Sequence, residues 1–199
     1  AWLVFNIGFR VRCEGRENLK KVGTKGCIIA PNHISAIDPV FIVITRFWGQ
    51  RMMVFAKKEL FEINPFLTWF FRCAGAVCVR GTKEEVGAID DTVKKCKEGG
   101  TLLIFPEGTR NKTPDTFLPF HEGSFKIAEK ANVPIIPMTI VNSAAVFEDH
   151  FPKIKKATVV IEYGKPIYPK ELDKETRKSM GTYVQNIISE TYFKNKELI

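Results

Sequence analysis

The 199-residue chain lacks any apolar run near the roughly 18 consecutive residues that a membrane-spanning helix requires; its longest clean runs, such as 40–44, have the length of a strand. Internal repeats, linkers and low-complexity tracts are missing as well. With 14 glycines, 11 prolines and 45% hydrophobic residues, the composition excludes a disordered or collagenous chain and supplies one core-forming domain. The five cysteines, at 13, 27, 73, 78 and 96, are scattered and never form C-x-x-C, which excludes a disulfide framework or a zinc site and reads as reduced, mostly buried thiols. Three histidines without metal-ligand spacing point to a metal-free site. Also absent are G-x-S-x-G, G-x-x-x-x-G-K-[ST] and G-x-G-x-x-G, the signatures of serine hydrolases, P-loop nucleotidases and dinucleotide enzymes.

What the chain has in excess is positive charge, a formal +8 from 30 Lys and Arg against 22 Asp and Glu. Half of it lies in residues 1–26, where six basic residues (Arg10, Arg12, Arg16, Lys20, Lys21, Lys25) face two acidic ones and follow the greasy stub Trp2, Leu3, Val4, Phe5, Ile7 and Phe9. Aromatics running into cations resemble the cytoplasmic end of a membrane anchor, because the cations stay beside anionic headgroups. We therefore expect 1–26 to be a basic, membrane-proximal segment that continues an N-terminal anchor, and 27–199 to be the catalytic domain. The stretch also reads as a buried first strand or helix with a solvated basic turn. A second greasy region, 60–72, suits a membrane interface, an acyl-chain groove or simply core. Nucleic acid is not expected as a partner, since no recognition helix, zinc finger or aromatic-basic RNA motif is present.

Strand candidates at 27–30, 52–56, 76–79, 101–105, 135–140 and 158–163 alternate with helical patterns, which predicts an α/β fold with a largely parallel central sheet flanked by helices. Thr82 and Glu85 have capping-box spacing before Val86, Ile89, Val93 and Cys96. Asp38-Pro39 opens another helix, with Asp38 as a possible N-cap and Pro39 at the first helical position. Further helices are expected at 123–131 and about 174–192, the latter burying Met180, Val184, Ile187 and Ile188.

Open α/β sheets place their sites in loops after strand ends. The first such loop holds His33 and Asp38, five residues apart. On a regular helix they point about 140° apart, so they meet only if the loop folds back. If it does, the carboxylate selects one imidazole tautomer and makes His33 a general base; otherwise Asp38 merely caps its helix. In the second loop, Pro106-Glu107-Gly108 forms a turn and Arg110 presents a planar fork suited to phosphate or carboxylate. Arg80 and Lys57 end two other strands, and the three cations together would build an anion site. A histidine base with no evident protein nucleophile leaves the substrate to supply the nucleophile.

N-H-x-x-x-x-D at 32–38, F-P-E-G-T-R at 105–110 and V-P-I-I-P at 133–137, in that order, resemble the glycerolipid acyltransferase family, most closely bacterial 1-acylglycerol-3-phosphate acyltransferases. The similarity runs from about Cys13 to about Tyr168. It implies a glycerol-3-phosphate acyltransferase-like fold and transfer of a fatty acyl group from acyl-carrier protein or coenzyme A to the sn-2 hydroxyl of lysophosphatidate, at the cytoplasmic face of an anionic membrane. By position, the resemblance makes His33 the base and Asp38 its orienting partner. Glu107, Gly108 and Thr109 then belong to the acceptor and oxyanion region, while Arg110, Arg80 and Lys57 bind the acceptor phosphate. No acyl-enzyme, cofactor or metal is implied. Two positions depart from the family pattern: Gly75 to Arg80 is one residue short, and His121-Glu122 stand where basic residues often precede the glycine. Alternatives are another acceptor (glycerol 3-phosphate, another lysophospholipid or an aminoacyl lipid), a hydrolase, or a non-catalytic lipid-binding module.

Overall fold

The computed structural model describes residues 10–45, 52–56, 76–78, 85–113, 115–151 and 153–199. Its strands are β1 (Arg10–Glu14), β2 (Cys27–Pro31), β3 (Met52–Ala56), β4 (Ala76–Cys78), β5 (Thr101–Leu103), β6 (Ile135–Val141) and β7 (Thr158–Tyr163). The helices are α1 (Arg16–Val22), α2 (Asp38–Thr45), α3 (Glu85–Lys97), α4 (Gly123–Ala131), α5 (Lys174–Lys178) and α6 (Met180–Lys196). The strands form one sheet in the order β1-β7-β6-β2-β5-β3-β4. Strands β2 to β6 run parallel, as expected for strand-helix alternation. β7 runs antiparallel to β6, and β1 pairs parallel with β7.

Strand β2 is buried along its whole length, and its period-2 alternation divides the core. Ile28 and Ala30 pack with Val93 and Cys96 of α3, Phe125 and Ala128 of α4, and Met180, Val184 and Ile188 of α6. Cys27 and Ile29 face the other way, into Leu19 and Val22 of α1 and Phe41 and Ile42 of α2. A sheet sandwiched in this way removes the central strands from water on both faces, which stabilises each buried Ile or Leu by about 1.5–3 kcal/mol. None of the helices among the described residues is long and apolar enough to cross a membrane.

Residues 10–22, part of the stretch expected to be membrane-proximal, form an edge strand and a helix of this same sheet assembly. The turn between them depends on Gly15, whose φ of 71° is left-handed; a Cβ there would lie 2.0 Å from the Tyr163 carbonyl oxygen. The C-terminal helix, expected to be continuous, breaks at Ser179. Asp173 caps α5 by accepting from the amides of Glu175 and Thr176. The Glu122 carboxylate accepts the Gly181 amide at 2.9 and 3.0 Å and so satisfies the start of α6. This gives a structural reason for an acidic residue where the family pattern favours a basic one. Helix α3 begins at Glu85, while Thr82 of the expected capping box lies outside the described residues, as does the greasy stretch 60–72.

Burial raises the Cys27 thiol to about 11 and the Cys96 thiol to about 12. At pH 8 roughly one part in a thousand or less of either is thiolate, the reactive form. Both are therefore expected to resist iodoacetamide in the native chain and to label rapidly in denaturant, as read by peptide-resolved mass spectrometry. Rapid native labelling of either would contradict the packing described.

Candidate active site

The loop after β2 is held at its start by Asn32, which is fully buried. Its carboxamide donates to the Ile140 carbonyl at 2.9 Å and accepts the Ile140 amide at 2.8 Å. A side chain thus takes over the β2–β6 pairing where the backbone leaves the sheet, and fixes the point from which His33 departs. The loop then folds back. His33 Nδ1 lies 2.9 Å from Asp38 Oδ2, and the imidazole stacks on Phe105 with ring centroids 4.0 Å apart. The separation that a continuous helix would forbid is bridged because α2 starts only at Asp38.

Asp38 does not cap its own helix. Its Oδ2 turns back to accept the amides of Ile34 and Ser35 at 2.9 and 2.8 Å, while the first free amides of α2, those of Val40 and Phe41, donate to the Ile37 carbonyl. Oδ1 accepts the Ser143 hydroxyl at 2.5 Å. With Asp38 accepting, Nδ1 carries the imidazole proton and Nε2 holds the lone pair that a base uses.

The turn after β5 closes on the same loop. Glu107, buried to 3% exposure, accepts the His33 amide at 2.8 Å and the Leu118 amide at 3.2 Å. Burial pushes its carboxyl above the ordinary carboxylate range, and the two amides partly offset this. Gly108 sits at φ 66°, and its amide donates to the Phe105 carbonyl at 3.0 Å. Its N–H therefore closes the turn. Thr109 is exposed at the tip. The Asn111 amide donates to the His33 carbonyl at 2.7 Å, so both sides of the His33 backbone are tied to the second motif.

Arg110 is half-buried and ion-paired: Nη1 lies 2.8 Å from Glu148 Oε1. Glu148 also accepts the Ser35 hydroxyl at 2.5 Å and the Ala36 amide at 2.7 Å. One carboxylate thus ties the arginine of the second motif to the loop of the first. Beside these groups opens a cleft of about 680 Å³, lined by Asn32, Ile34, Glu107, Arg110 and Glu148 on one side and by Phe117 and Tyr192 on another. His33 is not among its lining residues, whereas its chain neighbours Asn32 and Ile34 are. Lys57 and Arg80 lie outside the described residues. His121 is exposed, with its amide on the Pro106 carbonyl.

Sequence reasoning missed Ser143 and Glu148. Both lie in the loop that follows β6, at the same sheet edge as the two motifs, and the strand-end rule that singled out the other loops applies equally to this one.

A parallel α/β sheet with a His-Asp pair and an arginine at its carboxyl edge defines a class, and comparison with known proteins names it: the chain belongs to the acyltransferase family, whose model matches residues 10–141. It is 31% identical over 188 residues to the 1-acyl-sn-glycerol-3-phosphate acyltransferase of Saccharomyces cerevisiae, an alignment covering 91% of this chain and 58% of that protein. The enzyme of the same name from Helicobacter pylori is 36% identical over 137 residues, covering 65% of this chain and 56% of that one. Among solved structures, the crystal structure of the 1-acyl-sn-glycerophosphate (LPA) acyltransferase PlsC from Thermotoga maritima superposes with a TM-score of 0.76 at 27% identity, covering 94% of this chain and 72% of that one. This chain spans little more than half the length of the two relatives from yeast and Helicobacter pylori.

Asn32→Ala, which orphans the amide and carbonyl of Ile140, is expected to destabilise the fold by roughly 2 kcal/mol or more in urea unfolding. Glu107 supplies a pH test. Because its folded-state affinity for a proton is raised, the folded chain holds more protons than the unfolded one above pH 4.5, up to the raised value. The resulting stability is greatest at acid pH and is lost as pH rises through that window. Stability of the wild type relative to Glu107→Gln is expected to increase between pH 7 and pH 5; an unchanged difference would contradict the burial argument.

Proposed function

We propose that the chain transfers a fatty acyl group from a thioester to the sn-2 hydroxyl of lysophosphatidate, forming phosphatidate, with acyl-carrier protein or coenzyme A as the leaving thiol. The single observation that carries this reading is the His33–Asp38 pair at 2.9 Å, tied through Ser35 and Glu148 to Arg110.

His33 Nε2 takes the proton from the acceptor hydroxyl as its oxygen attacks the thioester carbonyl carbon. Asp38 holds the ring and stabilises the imidazolium that forms in the transition state. The tetrahedral intermediate collapses, the C–S bond breaks, and the imidazolium returns its proton to the departing thiolate. The acceptor hydroxyl is the nucleophile, so no acyl-enzyme forms. Arg110 keeps guanidinium donors beyond the one on Glu148, and bidentate contact with the acceptor phosphate suits them. By family position, Lys57 and Arg80 complete that phosphate site. Glu107, Gly108 and Thr109 shape the acceptor end by holding the turn that carries Arg110. No metal or cofactor is needed for these proton and acyl transfers. The acceptor is a lipid, and the reaction belongs at the cytoplasmic face of an anionic membrane.

The test is acyl transfer from long-chain acyl-coenzyme A and from acyl-carrier protein, with lysophosphatidate and glycerol 3-phosphate as parallel acceptors. Phosphatidate from lysophosphatidate alone is expected. His33→Ala and Asp38→Asn should each lower kcat by roughly 10²–10⁴-fold with the fold intact. Full transfer by His33→Ala sinks the mechanism. Product from glycerol 3-phosphate reassigns the acceptor, released fatty acid indicates a hydrolase, and lipid binding without any product indicates a non-catalytic module.

A further inference from the structure

The antiparallel turn from β6 into β7 has a topological consequence. Val141, near the carboxyl end of β6, pairs with Val160, and Arg10 at the start of β1 pairs with Thr158 at the start of β7. The segment that joins β6 to β7 and the start of β1 therefore lie at the same sheet edge as the loops of His33 and Glu107. That segment carries the two most exposed large hydrophobic side chains of the described residues, Phe151 at 73% and Ile154 at 65%. Interleaved with them are Lys153, Lys155 and Lys156, all exposed, and between 149 and 157 the only acidic residue is Asp149.

The segment is pinned to the body of the protein. The Lys155 amide donates to the Val146 carbonyl at 3.0 Å, the Lys153 amide to the His150 carbonyl at 2.8 Å, and the Arg10 amide to the Ala157 carbonyl at 3.3 Å. Phe151 meets Phe147 edge-on at 5.5 Å, so its ring is braced at one side and bare on the rest. Glu148, the carboxylate that holds Arg110, sits three residues before it.

We propose that Phe151 and Ile154, with Lys153, Lys155 and Lys156, form a docking wedge for an anionic lipid bilayer. The apolar pair enters the acyl boundary, and the three ammonium groups stay at the headgroup phosphates. Alternating exposed hydrophobes and lysines on a braced turn match that interface and no dry protein surface, since lysine is depleted from protein interfaces and attracted to anionic lipid. Docking there sets the active-site edge, and with it the start of β1 at Arg10, against the membrane. The proposal rests on the reading that the acceptor is a bilayer lipid.

The test is vesicle flotation of the whole chain with phosphatidylcholine vesicles and with vesicles half phosphatidylglycerol. Three variants are compared: Phe151→Ser with Ile154→Ser; Lys153→Glu with Lys155→Glu and Lys156→Glu; and a charge-matched control on α4 and α5, Lys126→Glu with Lys174→Glu and Lys178→Glu. Both wedge variants are expected to lose roughly tenfold or more of the partitioning onto phosphatidylglycerol vesicles while the control stays within about twofold. Wedge variants that bind as the wild type does, or a control that loses as much, overturn the proposal. The rate on a water-soluble short-chain lysophosphatidate without vesicles should be unchanged in the wedge variants. If the wild type shows no transfer there while the vesicle pattern holds, the catalytic reading fails and the docking surface stands.

Discussion

A carboxylate with no solvent contact is the constraint around which the site is built. Removing Asp38 from water costs several kcal/mol unless its oxygens are fully bonded, and four donors meet them: the His33 ring, the amides of Ile34 and Ser35, and the Ser143 hydroxyl. Each donor forces a piece of geometry. The two amides force the chain between His33 and Asp38 to curl around the carboxylate. The ring bond then follows from that curl, and the serine draws in the loop after β6. The arrangement that satisfies the buried charge also fixes the His33 ring.

The surrounding bonds serve the same end from other directions. Asn32 anchors the loop to β6, Glu107 and Asn111 hold the His33 backbone from the β5 side, and Glu148 ties the Ser35–Ala36 turn to Arg110. His33 is thereby held, directly or through Asn32 and Asp38, by groups from β6 and from the loops after β2, β5 and β6. Glu148 also gives the half-buried guanidinium of Arg110 a charged partner at the edge of the cleft.

Much of this was legible in the sequence because strand-helix alternation and buried apolar runs are local signals. Strands 52–56 and 158–163 and helix 123–131 were read at the bounds observed, since period and punctuation suffice there. Others were harder. Asp38 before Pro39 looks like an N-cap by any local rule, yet its carboxylate serves the preceding loop, because the His33 ring and two loop amides together outcompete the first turn of α2. Strand β1 hides within a run of cations because it lies at the sheet's edge, where alternate side chains reach water. Ser143 and Glu148 carry no motif, and their role exists only through contacts more than 100 residues away along the chain.

The amino-acid order by itself determined the alternation of strands and helices, the placing of His33, Asp38, Glu107 and Arg110 after strand ends, and the cationic start, because each depends on neighbours within a few residues. Tertiary structure alone decided that β7 and β1 reverse direction, that the loop after β6 clasps the other two, and that Arg110 rests on Glu148. Those outcomes depend on which strands pair and on which buried charges find donors. Both are settled by packing between segments far apart in the chain.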